Sequence, residues 1–252
     1  MAGIPHTVSS TGPKEGKVPY IRHNSVVIGD SQLIIRYFEA IYDIHAMSAA
    51  AALKRYPQSK KGLVPYSQLS VAQRAVSDAV RIICEADLYW GGLSTRWLGR
   101  AGLSKCEHNW TTTVQLYFDE LPFFLRGILT PMIRIVMANQ ALGQGLARHS
   151  PADQLFLCKR AVSALSSFLG DQTFFLGEFP SECDCMAFGS LEALLDGSWE
   201  NPLNIFVRSE CPRLVDFVHR VRQIYFADFL PLRGHKAPPS LPDTSFVVPS
   251  HL

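Results

Sequence analysis

The stretch GKVPYIRHNSVVIGDSQLIIRYF, residues 16–38, constrains the fold more than any other part of the chain. In Val18-Pro19 the proline fixes its own φ and pushes the residue before it into extended backbone. Residues 18–22 and 25–28 then carry β-branched side chains around His23-Asn24, the pattern of two strands joined by a hairpin turn. From Ser31 the period changes: Leu33, Ile34, Tyr37, Phe38 and Ile41 recur at helical spacing. The reading is strand, turn, strand, helix, with Asp30-Ser31 opening the helix. Only about fifteen residues precede this unit, and residues 1–15, small and polar with two prolines, read as a flexible N-terminus.

The rest of the chain follows a different rule. KRYPQSKKGLVPYSQLS, residues 54–70, clusters prolines, a glycine and lysines and reads as a linker. Residues 71–97 have the helical period with a break expected near Gly91-Gly92, and 98–113 read as a loop or an irregular helix end. Residues 114–148 give one or two helices interrupted by prolines. SPADQLFLCKRAVSALSSFLG, 150–170, opens on an N-cap with proline at the first helical position and closes on Gly170. FPSECDCMAFGSLEALLD, 179–196, is a marked helix in which Ser181 and Asp184 stand three apart, a capping box with Asp in place of Glu. Residues 211–226 form the last long helix, and the Pro-rich tail 230–252 is extended or disordered. The expected order is a partial β-β-α domain over 16–53, the linker 54–70, an all-helical domain over 71–229, then the tail.

Composition narrows the class. With 252 residues, 47% of them hydrophobic, the chain can bury one large core or two small ones. A net charge of +2 gives no basic surplus that would draw nucleic acid. Six cysteines without a CxxC pair read as free thiols. The start has no apolar leader segment, and the most apolar run, 121–142, is broken by Pro122, Arg126, Pro131 and Arg134, so no spanning helix is expected. The expected location is the cytoplasm.

The order Val-Pro, strand, turn, strand, acidic-Ser, helix, linker, helical domain resembles the glutathione S-transferase superfamily. GKVPYI, GDSQLIIRYF, EADLYWGGLSTRW, ALGQGLARHS and FFLGEFPSECDCMAFGSL resemble its failed-axon-connections and metaxin-like branch, over roughly residues 14–225. The resemblance implies an α+β fold: a truncated thioredoxin-like β-β-α piece followed by an all-α glutathione-transferase C-terminal helical domain. The strand, helix and strand that open such a domain have no counterpart here, through divergence, an alternative start or truncation.

The resemblance also implies glutathione as co-substrate or catalyst. Val18 would offer its backbone to the cysteinyl segment as a strand does, with Pro19 fixing the turn. The start of a helix attracts an anion through its unpaired N–H groups. The γ-glutamyl carboxylate would lie there beside Ser31, with Asp30 facing the ammonium group; the plainer reading of Ser31 is an N-cap. The thiol-activating residue of such enzymes lies in the part without a counterpart, so the catalytic residue is unknown. Glu85, Tyr89, Trp90 and Trp97 are candidates for the electrophile's pocket, against core packing for the tryptophans; Arg96, Arg100 or Arg148 would pair with Glu85. Asp184 with Ser181 resembles the superfamily's structural cap.

Cys106-Glu107-His108 with Cys183 and Cys185 fits no common zinc spacing, so no metal is expected. Cys183 and Cys185 at a helix start admit a lowered thiol pKa. Gly143 and Gly145 fit a close helix contact, and His149 fits a cap on the preceding helix end. Two main functions remain, beside a minor peroxidase or thiol-disulfide role through Cys183 or Cys185. One is a glutathione-dependent transferase, conjugating an electrophilic small molecule or isomerising it cis–trans, as in fungal secondary metabolism. The other is a non-catalytic metaxin-like or failed-axon-like interaction module. A homodimer is a further implication of the resemblance; nucleic acid and a membrane anchor are not among the expected partners.

Overall fold

The computed structural model describes residues 19–42 and 62–226. Val18, residues 1–15, the later part of the 16–53 piece, the 54–61 stretch and the tail 230–252 lie outside the described residues. The chain forms two compact units, each assembled from several stretches. The described parts of the first lie within 1–81, 167–188 and 216–227; those of the second lie within 82–166 and 189–215.

The first unit opens on a hairpin, β1 (Tyr20–His23) and β2 (Val26–Gly29). The strands are antiparallel, with Tyr20 opposite Gly29 and His23 opposite Val26. The turn sits one residue later than the sequence suggested, at Asn24-Ser25. Asn24 takes φ 56°, a left-handed conformation that Asn tolerates better than His does. His23 therefore stays in the strand. Its Nδ1 lies 2.7 Å from the Tyr37 hydroxyl on helix α1 (Ser31–Ile41), and its ring packs against Tyr37, Phe38 and Tyr42. That aromatic cluster fastens the hairpin to the helix.

Residues 62–70, in the expected linker, are held in place. Val64 N donates to Pro180 O at 2.8 Å and Tyr66 N to the Glu39 carboxylate at 2.8 Å. After a single 3-10 turn, Tyr66–Gln68, Ser70 and Gln73 cap helix α2 (Val71–Ile83) reciprocally: Gln73 N reaches Ser70 Oγ, and Ser70 N reaches Gln73 Oε1. Two orphan donors are satisfied at once. The unit's buried residues include Val80, Phe174, Phe175, Phe217 and Val221, with Phe175 and Phe217 edge to face at 5.3 Å.

The second unit is helical. Its elements are a π-helical turn (Cys84–Leu88), α3 (Tyr89–Trp97), α4 (His108–Phe118), α5 (Phe123–Gln144), most of α6 (Pro151–Leu169), the later half of α7 (Glu182–Leu195) and α8 (Pro202–Glu210). The last helix, α9, is Pro212–Tyr225. The break expected at Gly91-Gly92 is absent. The irregularity is the π turn, and helical dihedrals run through Ile83, Leu88 and Tyr89. Gly91 serves packing instead: a Cβ there would stand 2.7 Å from Cys158 Sγ. Gly143 and Gly145 make no close helix contact either. Nothing would meet a Cβ at either position, and Gly145, at φ 119°, ends α5 by donating to Ala141 O.

A buried polar lattice ties the loops of this unit to its helices. Ser94 Oγ donates to Gln154 Oε1 at 2.5 Å and accepts from Leu103 N. Asn109 donates to Thr95 O and Glu200 O and accepts from Glu200 N. The Trp199 indole donates to Thr113 Oγ1. Buried polar groups need such partners, which is why residues 98–107 hold one shape without being helical throughout. Among the described residues no helix is long and apolar enough to cross a membrane.

Candidate functional site

The start of α1 is built by the hairpin before it. Asp30 N donates to Pro19 O at 3.0 Å, so the proline turn and the helix start are hydrogen-bonded neighbours across the base of the hairpin. Asp30 adopts φ 81°, ψ 126°. An N-cap residue ordinarily has negative φ, and such backbone in a non-glycine residue costs roughly 1–3 kcal/mol. The Asp30 carboxylate accepts from Gln32 N at 3.0 Å. Asp30, and not Ser31, is therefore the N-cap, and Ser31 is the first helical residue. Among the described residues no hydrogen bond holds the Ser31 hydroxyl. The result is a half-buried corner with one carboxylate, one uncommitted hydroxyl and the positive end of an eleven-residue helix. That combination matches an α-amino acid end group, whose ammonium and carboxylate need opposite partners within a few ångströms. Pro19, Asp30 and Ser31 are brought together; Val18 lies outside the described residues.

Glu182 lies in the same unit. Burial raises its pKa, Glu39 raises it further, and the Gln32 amide opposes the shift. Gln32 follows Ser31 in the first turn of α1, so this carboxylate bears on the helix start. No sequence signal marked it, because its neighbours come from α1, α2 and the start of α7.

The start of α7 uses the same residue types to another end. The Asp184 carboxylate accepts from Ser181 N, Ser181 Oγ and Phe175 N, each at 2.8 Å. Both residues are fully buried. Burial pushes Asp184 up to about 6 against these hydrogen bonds. Cys183 beside it is buried, and burial, with Asp184 adding to it, pushes its thiol to about 12. Cys185 is raised by the same two causes in the same order. The helix-terminus effect expected to lower these thiols is outweighed by desolvation.

The four pocket candidates separate. Glu85 lies in the π turn. Tyr89, largely exposed, meets Trp90 edge to face at 5.3 Å. Trp97 stands eight residues on, about 12 Å along the axis at 1.5 Å per residue, and packs against Trp110 and Phe118. Its carbonyl accepts from Arg134 Nε, so Trp97 is part of the packing of its own unit and not of a group with Tyr89. Arg96 lies over the Trp199 ring at 4.3 Å and donates to Ala193 O, and Arg148 donates to Leu142 O. Glu107, within the Cys-Glu-His run, pairs with Arg134 at 2.8 Å, which with other contacts lowers its pKa. Among the described residues no three His, Cys, Asp or Glu side chains gather as a metal site would require.

Residues 5–46 match the family model of the glutathione S-transferase N-terminal domain, and residues 158–221 that of the C-terminal domain. An isoprene-epoxide–glutathione S-transferase of Rhodococcus sp. (strain AD45) is 28% identical over 220 residues, 83% of this chain and 78% of that protein. A metaxin-1 homolog of Caenorhabditis briggsae is 28% identical over 159 residues, 63% of this chain and 47% of that protein. Failed axon connections of Drosophila melanogaster is 25% identical over 219 residues, 86% of this chain and 48% of that protein. The chain thus spans about half the length of the last two. No solved structure matches it.

Proposed function

The chain belongs to the glutathione S-transferase superfamily, with relatives in its metaxin-like branch, and from that premise we propose that it binds glutathione at the start of α1 and transfers it to an electrophilic small molecule. The observation that supports the reading is the Ser31 hydroxyl, uncommitted among the described residues, beside the Asp30 cap and the Pro19 carbonyl. The γ-glutamyl carboxylate lies on the helix end and Ser31, and the ammonium faces Asp30. Val18 supplies backbone hydrogen bonds to the cysteinyl segment. Tyr89, Trp90 and Glu85 are the proposed contacts for the electrophile.

The chemistry follows from the thiol. A free cysteine thiol has pKa near ~8.5 and is a few per cent thiolate at neutral pH, so a bound and oriented glutathione already has a nucleophile. With an epoxide, the substrate class in the name of the Rhodococcus relative, sulfur bonds to carbon, the C–O bond breaks, and the alkoxide takes up the proton the thiol released. With an activated alkene the same addition gives a conjugate, and collapse after bond rotation gives isomerisation with glutathione returned. No side chain of this chain is assigned the activating role. The proposed location is the cytoplasm.

A second reading is supported by the metaxin and failed-axon relatives: a non-catalytic interaction module. Loss of free thiol from glutathione in the presence of an epoxide or enone panel separates the two. The transferase consumes thiol faster than buffer, and Ser31→Ala raises the KM for glutathione. A rate equal to buffer across the panel favours the module.

A further inference from the structure

The π turn is held from outside its own helix. Tyr89 N donates to Cys84 O, five residues back. In an α-helix each N–H reaches the carbonyl four residues back, so a stretch that reaches five leaves a carbonyl over. Such a carbonyl needs another donor. Two side chains from other helices bring one. Gln144 Nε2, at the end of α5, donates to Ala86 O at 3.1 Å, and Cys158 Sγ, on α6, donates to Asp87 O at 3.8 Å.

The two holds differ. Cys158 is fully buried, and a thiol is a weak donor. It also faces Gly91, where a Cβ would stand 2.7 Å from Sγ, and that fit fixes which side of α3 meets α6. Gln144 is exposed, yet both ends of its amide are engaged: Oε1 accepts from Leu146 N at 3.0 Å while Nε2 reaches the turn. What the turn sets is direction. One residue more or fewer ahead of a position rotates it by about 100° around the helix axis. Tyr89 and Trp90 open α3 directly after the turn, with Tyr89 60% exposed and Trp90 half-buried. A turn that slid two residues along the helix would carry both rings to another side while Gly91 kept its fit on Cys158.

We propose that Gln144 is a positioning residue for the electrophile: by holding Ala86 O it fixes the π turn, and with it the direction in which Tyr89 and Trp90 present their rings. The electrophile's place rests on the transferase reading; the hold on the rings does not.

The test uses the full chain with its four tryptophans replaced by 5-fluorotryptophan, the Trp90 fluorine resonance being assigned by its loss in Trp90→Phe. Gln144→Glu keeps the acceptor for Leu146 N and loses the donor to Ala86 O. Without any ligand it should move the Trp90 resonance and leave that of the buried Trp199 in place. With glutathione and styrene oxide it should raise the KM for the epoxide about fivefold, what one hydrogen bond contributes, and leave the KM for glutathione unchanged. Gln144→Lys, which keeps a donor, should restore both readings. A Trp90 resonance that stays in place in Gln144→Glu overturns the proposal, and so does a resonance that Gln144→Lys moves equally. A moved resonance with an unchanged epoxide KM overturns the role toward the electrophile and leaves glutathione transfer standing. No thiol consumption by the unaltered chain overturns the transferase reading itself, and the electrophile role with it.

Discussion

Two helix starts in the first unit use the same pair of residue types and come to opposite conditions. At α7, Ser181 and Asp184 are sealed in the core, and every polar atom of the pair is occupied by the protein itself. At α1, Asp30 and Ser31 are half open; Asp30 accepts the Gln32 N–H and has strained dihedrals, and the Ser31 hydroxyl is uncommitted among the described residues. The difference is one of spacing and burial. Three residues apart, an acid can reach back to the cap and close the circuit. Side by side, the acid caps the helix and the serine is left over. The buried start stabilises the fold; the half-open one is the proposed ligand site.

The largest effect should come from breaking the saturated start. Asp184→Ala orphans the buried Ser181 and Phe175 N–H groups and should cost about 2–4 kcal/mol at ~1–3 kcal/mol for each unsatisfied group. Urea unfolding checks it through a lower midpoint at unchanged slope. A cost under ~0.5 kcal/mol would show that the buried circuit is ornamental.

A pH effect sharpens the same contrast. Asp184 is raised to about 6 by burial, so between the ordinary carboxylate value of ~4 and 6 the folded chain holds a proton that the unfolded chain has released. Stability from this group is therefore present at the acid side and falls as pH rises through that window, by up to about 3 kcal/mol at 1.36 kcal/mol per pKa unit. Glu182, also raised by burial, acts in the same direction. Asp184→Asn should flatten the slope of stability between pH 4 and 6; an identical slope in the variant would remove Asp184 as its source.

The open start should respond the other way. Ser31→Ala should leave stability within about 0.5 kcal/mol, as surface changes usually do, yet weaken glutathione by ~1 kcal/mol or more through a lost hydrogen bond to a charged group. Asp30→Asn is the smallest expected change in stability, since asparagine both caps and tolerates positive φ. Its effect should appear in binding alone, through the lost counter-charge to the ammonium. Equal losses of stability in Ser31→Ala and in Asp184→Ala would erase the comparison.

Much of this was legible in the sequence because it depends on local spacing. The hairpin, α1, the Ser-Pro start of α6 and the Gly170 stop follow from residues within a turn of one another, and both serine-acid pairs could be located. Which member of Asp30-Ser31 caps the helix was not legible, since it depends on a φ of 81° imposed by the hairpin. The π turn at Cys84–Leu88 was hidden because its residues are ordinary helix formers, while Gly91-Gly92 drew the eye. Trp97 looked like a neighbour of Tyr89 in sequence, but its partners Trp110 and Phe118 come from α4. The inward contacts of Arg126 and Arg134 on α5 were not legible either, since their partners Asp119, Leu121, Glu107 and Trp97 lie outside that helix.

The most direct test is a calorimetric titration of reduced glutathione into the full chain, with Ser31→Ala run beside it. The account predicts saturable binding at one site per chain and a weaker constant in the variant. Heat that never saturates, or a constant that the variant leaves unchanged, would contradict a ligand site at the start of α1.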